Sequence, residues 1–199
     1  MTDPTSEIPA SLAAFDPVVH PPVLGPTDVS YVVDDTPIGR MLLARNNSGA
    51  LVASTFVPTT ADEDRVLALL SQRVSPRVLR HSAELDEARS QLDDFLTGRI
   101  RAFSLRTDLA LASDFQRTVL SRLTTSVSYG HRATYGQLAA LVDRPAAARA
   151  VGTALGSNPL CVVIPCHRVV GASGALTGYA GGLAAKRYLL ELESGQGAG

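Results

Sequence analysis

The chain has 199 residues, 45% of them hydrophobic and 19% charged, with a formal net charge of −1. That supplies a packed core for one domain or two small ones and excludes wholesale disorder, and no run reaches the roughly 20 apolar residues of a membrane span. Its two cysteines, Cys161 and Cys166, can build neither a disulfide framework nor a four-cysteine zinc site, so no metal or other cofactor is expected.

The opening residues, MTDPTSEIPA, are acidic and proline-punctuated, without a basic start or an apolar stretch. This argues against a secretory signal, and the expected location is the cytoplasm. Residues 1–27 carry six of the twelve prolines and read as an irregular arm. Two apolar runs follow, Arg40–Ala44 and Ala50–Phe56, separated by Asn46-Asn47-Ser48-Gly49, which is a hairpin signature. Tyr31-Val32-Val33 adds a candidate third strand. Asp62–Val74 and Glu84–Leu96 predict helices, the second stopped at Gly98. Residues 28–108 thus predict a small sheet-plus-helix domain that carries no chemical motif.

From Ser113 the character changes. Residues 1–114 hold 10 arginines and no lysine against 16 acids, a balance of −6, whereas residues 115–199 hold 8 basic residues against 3 acids, a balance of +5. The asymmetry points the C-terminal part, residues 109–199, at a polyanion. Phe115, Val119, Leu123 and Val127 recur every four residues on a helix that Ser113 or Asp114 can cap. Thr134 can cap a second helix through about Val142. Asp143-Arg144 then turns into Pro145 and a third helix over residues 146–156, AAARAVGTALG, made almost wholly of small residues. Two short helices joined in this way form a helix-turn-helix, a pattern that serves DNA binding or plain core packing. The fold expected is α/β of the α+β kind, with a mainly helical C-terminal domain.

Leu160–Ile164 is a short apolar run, read as a buried strand or extended segment, that delivers Pro165 and then Cys166-His167-Arg168-Val169. A thiolate nucleophile needs a proton acceptor, and His167 is next door. Neighbouring side chains do not face each other, so a bridging water is the natural relay. A buried core cysteine beside an incidental histidine fits the same residues.

IPCHRVVG (164–171) followed by GYAGGLAAKRYLLELE (178–193) resembles the active-site segment of the O6-alkylguanine-DNA alkyltransferases. TYGQLAALVDRPAAARAVGTALGSNP (134–159) resembles their DNA-binding segment, and TPIGRMLLA (36–44) the opening strand of their N-terminal domain. The resemblance implies a suicide enzyme that repairs O6-alkylguanine, with O4-alkylthymine a chemically parallel substrate, by irreversible transfer of the alkyl group to Cys166. It implies that His167 takes the thiol proton through water, that Glu193 orients His167, that Asn158 braces the turn and that Lys186 supports the pocket. Tyr179 then donates a proton to the leaving guanine. Val169, Ala180, Gly181 and Gly182 line the base pocket, the two glycines letting the backbone approach the base. Tyr135 presses on a phosphate, Arg149 enters the base stack, and Thr134, Ala148, Gly152 and Arg168 complete the DNA contact.

The implied partner is double-stranded DNA with the target base flipped out, bound by a monomer that touches no membrane. A helix of Ala and Gly can approach a groove closely. Physics alone would choose the major groove, and the resemblance implies the minor groove. The chain departs from some relatives in lacking N-terminal cysteines for zinc, in Tyr188 where Trp is common, and in Ala180 where others have Ser. Two other classes stand beside this reading: a module that binds alkylated bases without transfer, and a Cys-His hydrolase.

Overall fold

The computed structural model describes residues 28–195, and the arm expected over residues 1–27 lies outside them. Val29–Thr36 (β1), Gly39–Asn46 (β2) and Leu51–Phe56 (β3) form an antiparallel meander. Its second turn is closed by the Asn46 side chain, whose Oδ1 accepts from Ser48 N, Ser48 Oγ and Ala50 N at 3.1, 2.7 and 3.0 Å. This is the local chemistry that makes Asn a turn residue. Val78–Arg80 (β4) pairs parallel with β1 and completes the order β3-β2-β1-β4. Three residues carry no periodic signal, and the sequence reading has no such strand.

Met41–Ala44 is buried without interruption because both faces of the sheet are covered. Leu42 and Ala44 pack with Leu70 of Thr60–Arg73 (α1), while Met41 and Leu43 join Leu92, Phe95 and Leu96 of Asp86–Leu96 (α2). The helix expected from Glu84 begins as a separate one-turn 3-10 segment, Ser82–Leu85. Gly98, at φ 74, takes the left-handed position just past α2.

Asp114–Ser126 (α3) and Tyr135–Leu141 (α4) each start with a reciprocal capping box, Ser113 with Gln116 and Thr134 with Gln137. Ala148–Gly156 (α5) starts later than expected. Pro145 is not in its first turn but in a preceding one, closed by Ala147 N donating to Arg144 O at 2.8 Å after Asp143 at φ 58. Gly182–Glu193 (α6) ends the described chain's helices. Ala133–Thr134 (β5) and Val169–Val170 (β6) form a short parallel pair that sets the start of α4 beside the Cys166 segment.

One core joins the two halves. Met41, Leu43 and Phe56 of the sheet belong to the same buried cluster as Val119, Leu123, Leu138, Val151, Leu160 and Leu189 of the helical part. The architecture is α+β, and among the described residues no helix is long and apolar enough to cross a membrane.

Candidate active site

The apolar run before the cysteine is not a strand. Ile164 N donates to Leu160 O at 2.7 Å, Cys161 bridges Ile164, and Val162 between them sits at φ 72. A β-branched residue in that left-handed region is strained, so the turn must be held from outside, and Asn158 does so. Its Oδ1 accepts from Leu160 N at 3.0 Å while its Nδ2 donates to Ile164 O at 3.0 Å and to the Cys166 sulfur at 3.2 Å. The brace expected of Asn158 is therefore also a hydrogen bond to the thiol.

Cys166 opens a one-turn 3-10 segment, Cys166–Arg168, and is only 5% exposed. The neighbouring Cys161 thiol, the Asn158 amide and the charge of Lys186 together outweigh burial and hold the Cys166 thiol below its ordinary value. Hydrogen bonding to Cys166 and burial push Cys161 well up, so Cys161 keeps its proton. The Cys161 thiol donates to the Asn158 carbonyl at 3.4 Å.

His167 is fully buried, and its Nε2 lies 2.8 Å from Glu193 Oε1. Burial pushes the Glu193 carboxyl up, but hydrogen bonds from His167 and Arg168 bring it below its ordinary value, so it is a carboxylate that only accepts. The proton between them therefore sits on Nε2, and Nδ1 presents a lone pair with no partner among the described residues. Burial also holds the His167 imidazole below its ordinary value, hence neutral. The array is a buried thiol activated from three sides, beside a neutral imidazole whose free nitrogen is a base.

Arg168, expected on DNA, has its partners inside the protein. It is 7% exposed, its Nε and Nη2 donate to Glu193 at 2.8 and 2.9 Å, and its Nη1 donates to Val127 O at 2.8 Å. The guanidinium thereby counters the charge of Glu193. Glu193 itself, the last residue of α6, is buried.

Lys186 is 1% exposed, and its ammonium donates to Val169 O at 2.6 Å and Thr177 O at 3.2 Å. It ties the loop before α6 to β6. Val169 is fully buried. The Tyr179 ring is half-buried, yet its hydroxyl is wholly enclosed without a partner among the described residues. Burial, with the negative charges of Cys166 and Glu193 behind it, pushes its phenol well above the ordinary value, so it stays a donor. Ala180 and Gly182 are exposed, and Gly182 takes a left-handed φ of 81. Gly181 departs from expectation: the group its missing Cβ makes room for is the Phe56 ring, whose carbons would lie 2.5 Å away.

On the helix-turn-helix, Arg149 is exposed on α5, its backbone carbonyl accepts from the Thr153 hydroxyl at 3.2 Å, and its side chain has no partner among the described residues. Ala148 and Gly152 are half-buried on the same helix. Tyr135 rests its ring beside Gly152 and shares a 2.8 Å hydrogen bond with Thr177, which links α4 to the loop that carries Tyr179. Thr134 is occupied as the α4 cap.

Sequence reasoning missed three contributors. Gly130, at φ 76, donates its amide to Glu193 Oε2 at 3.2 Å; a glycine in the Ser-Tyr-Gly-His turn was the available signal. Ser54 of β3 grips the active-site turn, its N donating to Pro159 O at 2.8 Å and its hydroxyl to Cys161 O at 2.9 Å. Phe56 meets Tyr179 edge-on with ring centroids 5.5 Å apart. No local signal marks either of these two. Among the described residues no cluster of three or more His, Cys, Asp or Glu side chains is placed to hold a metal ion.

Residues 114–195 match the family model of the 6-O-methylguanine DNA methyltransferase DNA-binding domain. The chain is 41% identical over 162 residues to a methylated-DNA–protein-cysteine methyltransferase of Mycobacterium leprae, covering 81% of this chain and 90% of that protein. It is similar to the crystal structure of Mycobacterium tuberculosis OGT in complex with DNA, with a TM-score of 0.71 and 36% identity over 84% of this chain and 94% of that one. It is also similar to the O6-methylguanine-DNA methyltransferase of the archaeon Pyrococcus kodakaraensis, with a TM-score of 0.62 and 26% identity over 83% and 98% of the two chains.

Proposed function

The chain belongs to the methylated-DNA–protein-cysteine methyltransferases, a family of DNA alkyl-repair enzymes, and we propose that Cys166 is the cysteine on which it accepts the alkyl group. The observation that carries this is the buried array in which the Cys166 sulfur receives the Asn158 amide while His167, fixed by Glu193, keeps Nδ1 free as a base. Loss of the thiol proton to His167 through a water leaves a thiolate, which attacks the alkyl carbon in line. The carbon–oxygen bond breaks, the electron pair leaves with guanine, and Tyr179 protonates the departing base. The product is a thioether with no route back to thiol, hence one turnover per molecule.

Duplex DNA carrying alkylated guanine is the partner. In this reading α5 enters the minor groove, its small residues allowing close approach and Arg149 filling the stack behind the flipped base. The protein acts as a monomer in the cytoplasm, where thiols stay reduced. In the same reading residues 109–199 form the part that does the chemistry and contacts DNA, and residues 28–108 hold it in place. A duplex with isotope-labelled O6-methylguanine should lose its label to protein with a plateau at one methyl per molecule. Continued turnover, or label released as methanol, would mean hydrolysis and refute acceptance by the protein.

A further inference from the structure

β3 brings an aromatic ring from the N-terminal sheet into the active site. Phe56 is 8% exposed, and Tyr179, Gly181 and Gly39 stand close to its ring. Tyr179 meets it edge-on at 5.5 Å with 71° between the ring planes, Gly181 lies so close that a Cβ would stand 2.5 Å from its Cε1 and Cζ, and a Cβ on Gly39 would stand 3.7 Å from its Cδ1. Two residues earlier, Ser54 is fastened to the active-site turn by hydrogen bonds to Pro159 O and Cys161 O at 2.8 and 2.9 Å. The Phe56 ring is thereby fixed relative to the Cys166 segment rather than to its own sheet alone.

Tyr179 needs such a neighbour. Among the described residues its hydroxyl has no partner, and none of them orients the phenol by a hydrogen bond. The ring is held by packing, with Phe56 as one edge-to-face contact and His167 as another at 6.5 Å and 84°. We infer that Phe56 is a positioning residue for Tyr179, holding the phenol where its proton meets the leaving base. Gly181 is part of the same device, because only a residue without a Cβ lets the ring pass that close. The inference rests on the reading of Tyr179 as the proton donor.

The test is a double-mutant cycle on the single-turnover rate of methyl transfer from an O6-methylguanine duplex, using Phe56→Ala, Tyr179→Phe and the pair. Phe56→Leu keeps the strand end apolar and serves if the alanine variant does not fold. Phe56 variants should transfer about tenfold more slowly in the wild-type background, since a displaced donor forfeits part of general-acid catalysis. In the Tyr179→Phe background the same change should cost less than about twofold, because a residue acting through Tyr179 has nothing left to position. Equal losses in both backgrounds would overturn the inference and leave the donor role of Tyr179 standing. A Tyr179→Phe protein that transfers at the wild-type rate would remove the donor role and the inference with it.

Discussion

Replacing Glu193 by Gln keeps the size of the side chain and removes one charge from the centre of the site. The carboxylate accepts from His167 Nε2 at 2.8 Å, from Arg168 Nε and Nη2 at 2.8 and 2.9 Å, and from Gly130 N at 3.2 Å. Either orientation of the amide turns its NH2 towards one of these donors, and Arg168 is left charged, 7% exposed and without its counter-ion. Breaking a buried pair from one side costs about 3–5 kcal/mol. The remaining amide oxygen recovers about 1 kcal/mol, for a net loss of about 3 kcal/mol. For a protein of this size that lowers Tm by about 6–12 °C. The same change releases the tautomer that leaves Nδ1 free, so methyl transfer should fall about 100-fold.

The sign with pH follows from the lowered carboxyl. Its contribution is complete above the ordinary carboxylate value and fades as pH falls through the lowered folded value, so wild type and variant should converge in acid. Thermal unfolding across a pH series, with the transfer rate measured beside it, checks both arms. A variant within about 1 °C of wild type at neutral pH, or one that transfers within about a factor of two of it, would refute the reasoning.

Arg149→Ala should slow repair in duplex DNA far more than reaction with free O6-benzylguanine, because a free base bears no cost of flipping. Arg149 is exposed, so the fold should not suffer; equal losses on the two substrates, measured as second-order rate constants, would remove the wedge role. Asn158→Ala withdraws a donor from the Cys166 sulfur, and hydrogen bonding to a thiolate lowers its pKa. The rising limb of rate against pH should therefore move to higher pH in the variant, and a limb that does not move would reduce Asn158 to a brace.

What the sequence made legible was what neighbouring residues decide. Ser113 and Thr134 announce helix starts because their caps are closed three residues on by Gln116 and Gln137. The β2–β3 turn is written in Asn46 and Gly49. The resemblance was readable because Pro-Cys-His-Arg and its flanks are contiguous. Long-range partners were not legible. Arg168 beside the cysteine reads as a free cation until Glu193, 25 positions away, is folded against it. Leu160–Ile164 reads as a buried strand or extended segment because an apolar run cannot reveal Val162 at φ 72, a conformation held by Asn158 and Ser54 from outside. Phe56 meets Tyr179 across more than half the chain, and no spacing rule connects them.

The central claim is that the alkyl group ends on one sulfur. Both cysteines are buried, Cys161 in the turn and Cys166 just after it, but their protons are held in opposite senses, Cys166 lowered and Cys161 raised. Intact-mass analysis after reaction with an O6-methylguanine duplex, followed by peptide mapping, should find one added methyl on Cys166 and none on Cys161. Cys166→Ala should add none while still binding the duplex. A methyl on Cys161, or on the protein when Cys166 is gone, would contradict the account.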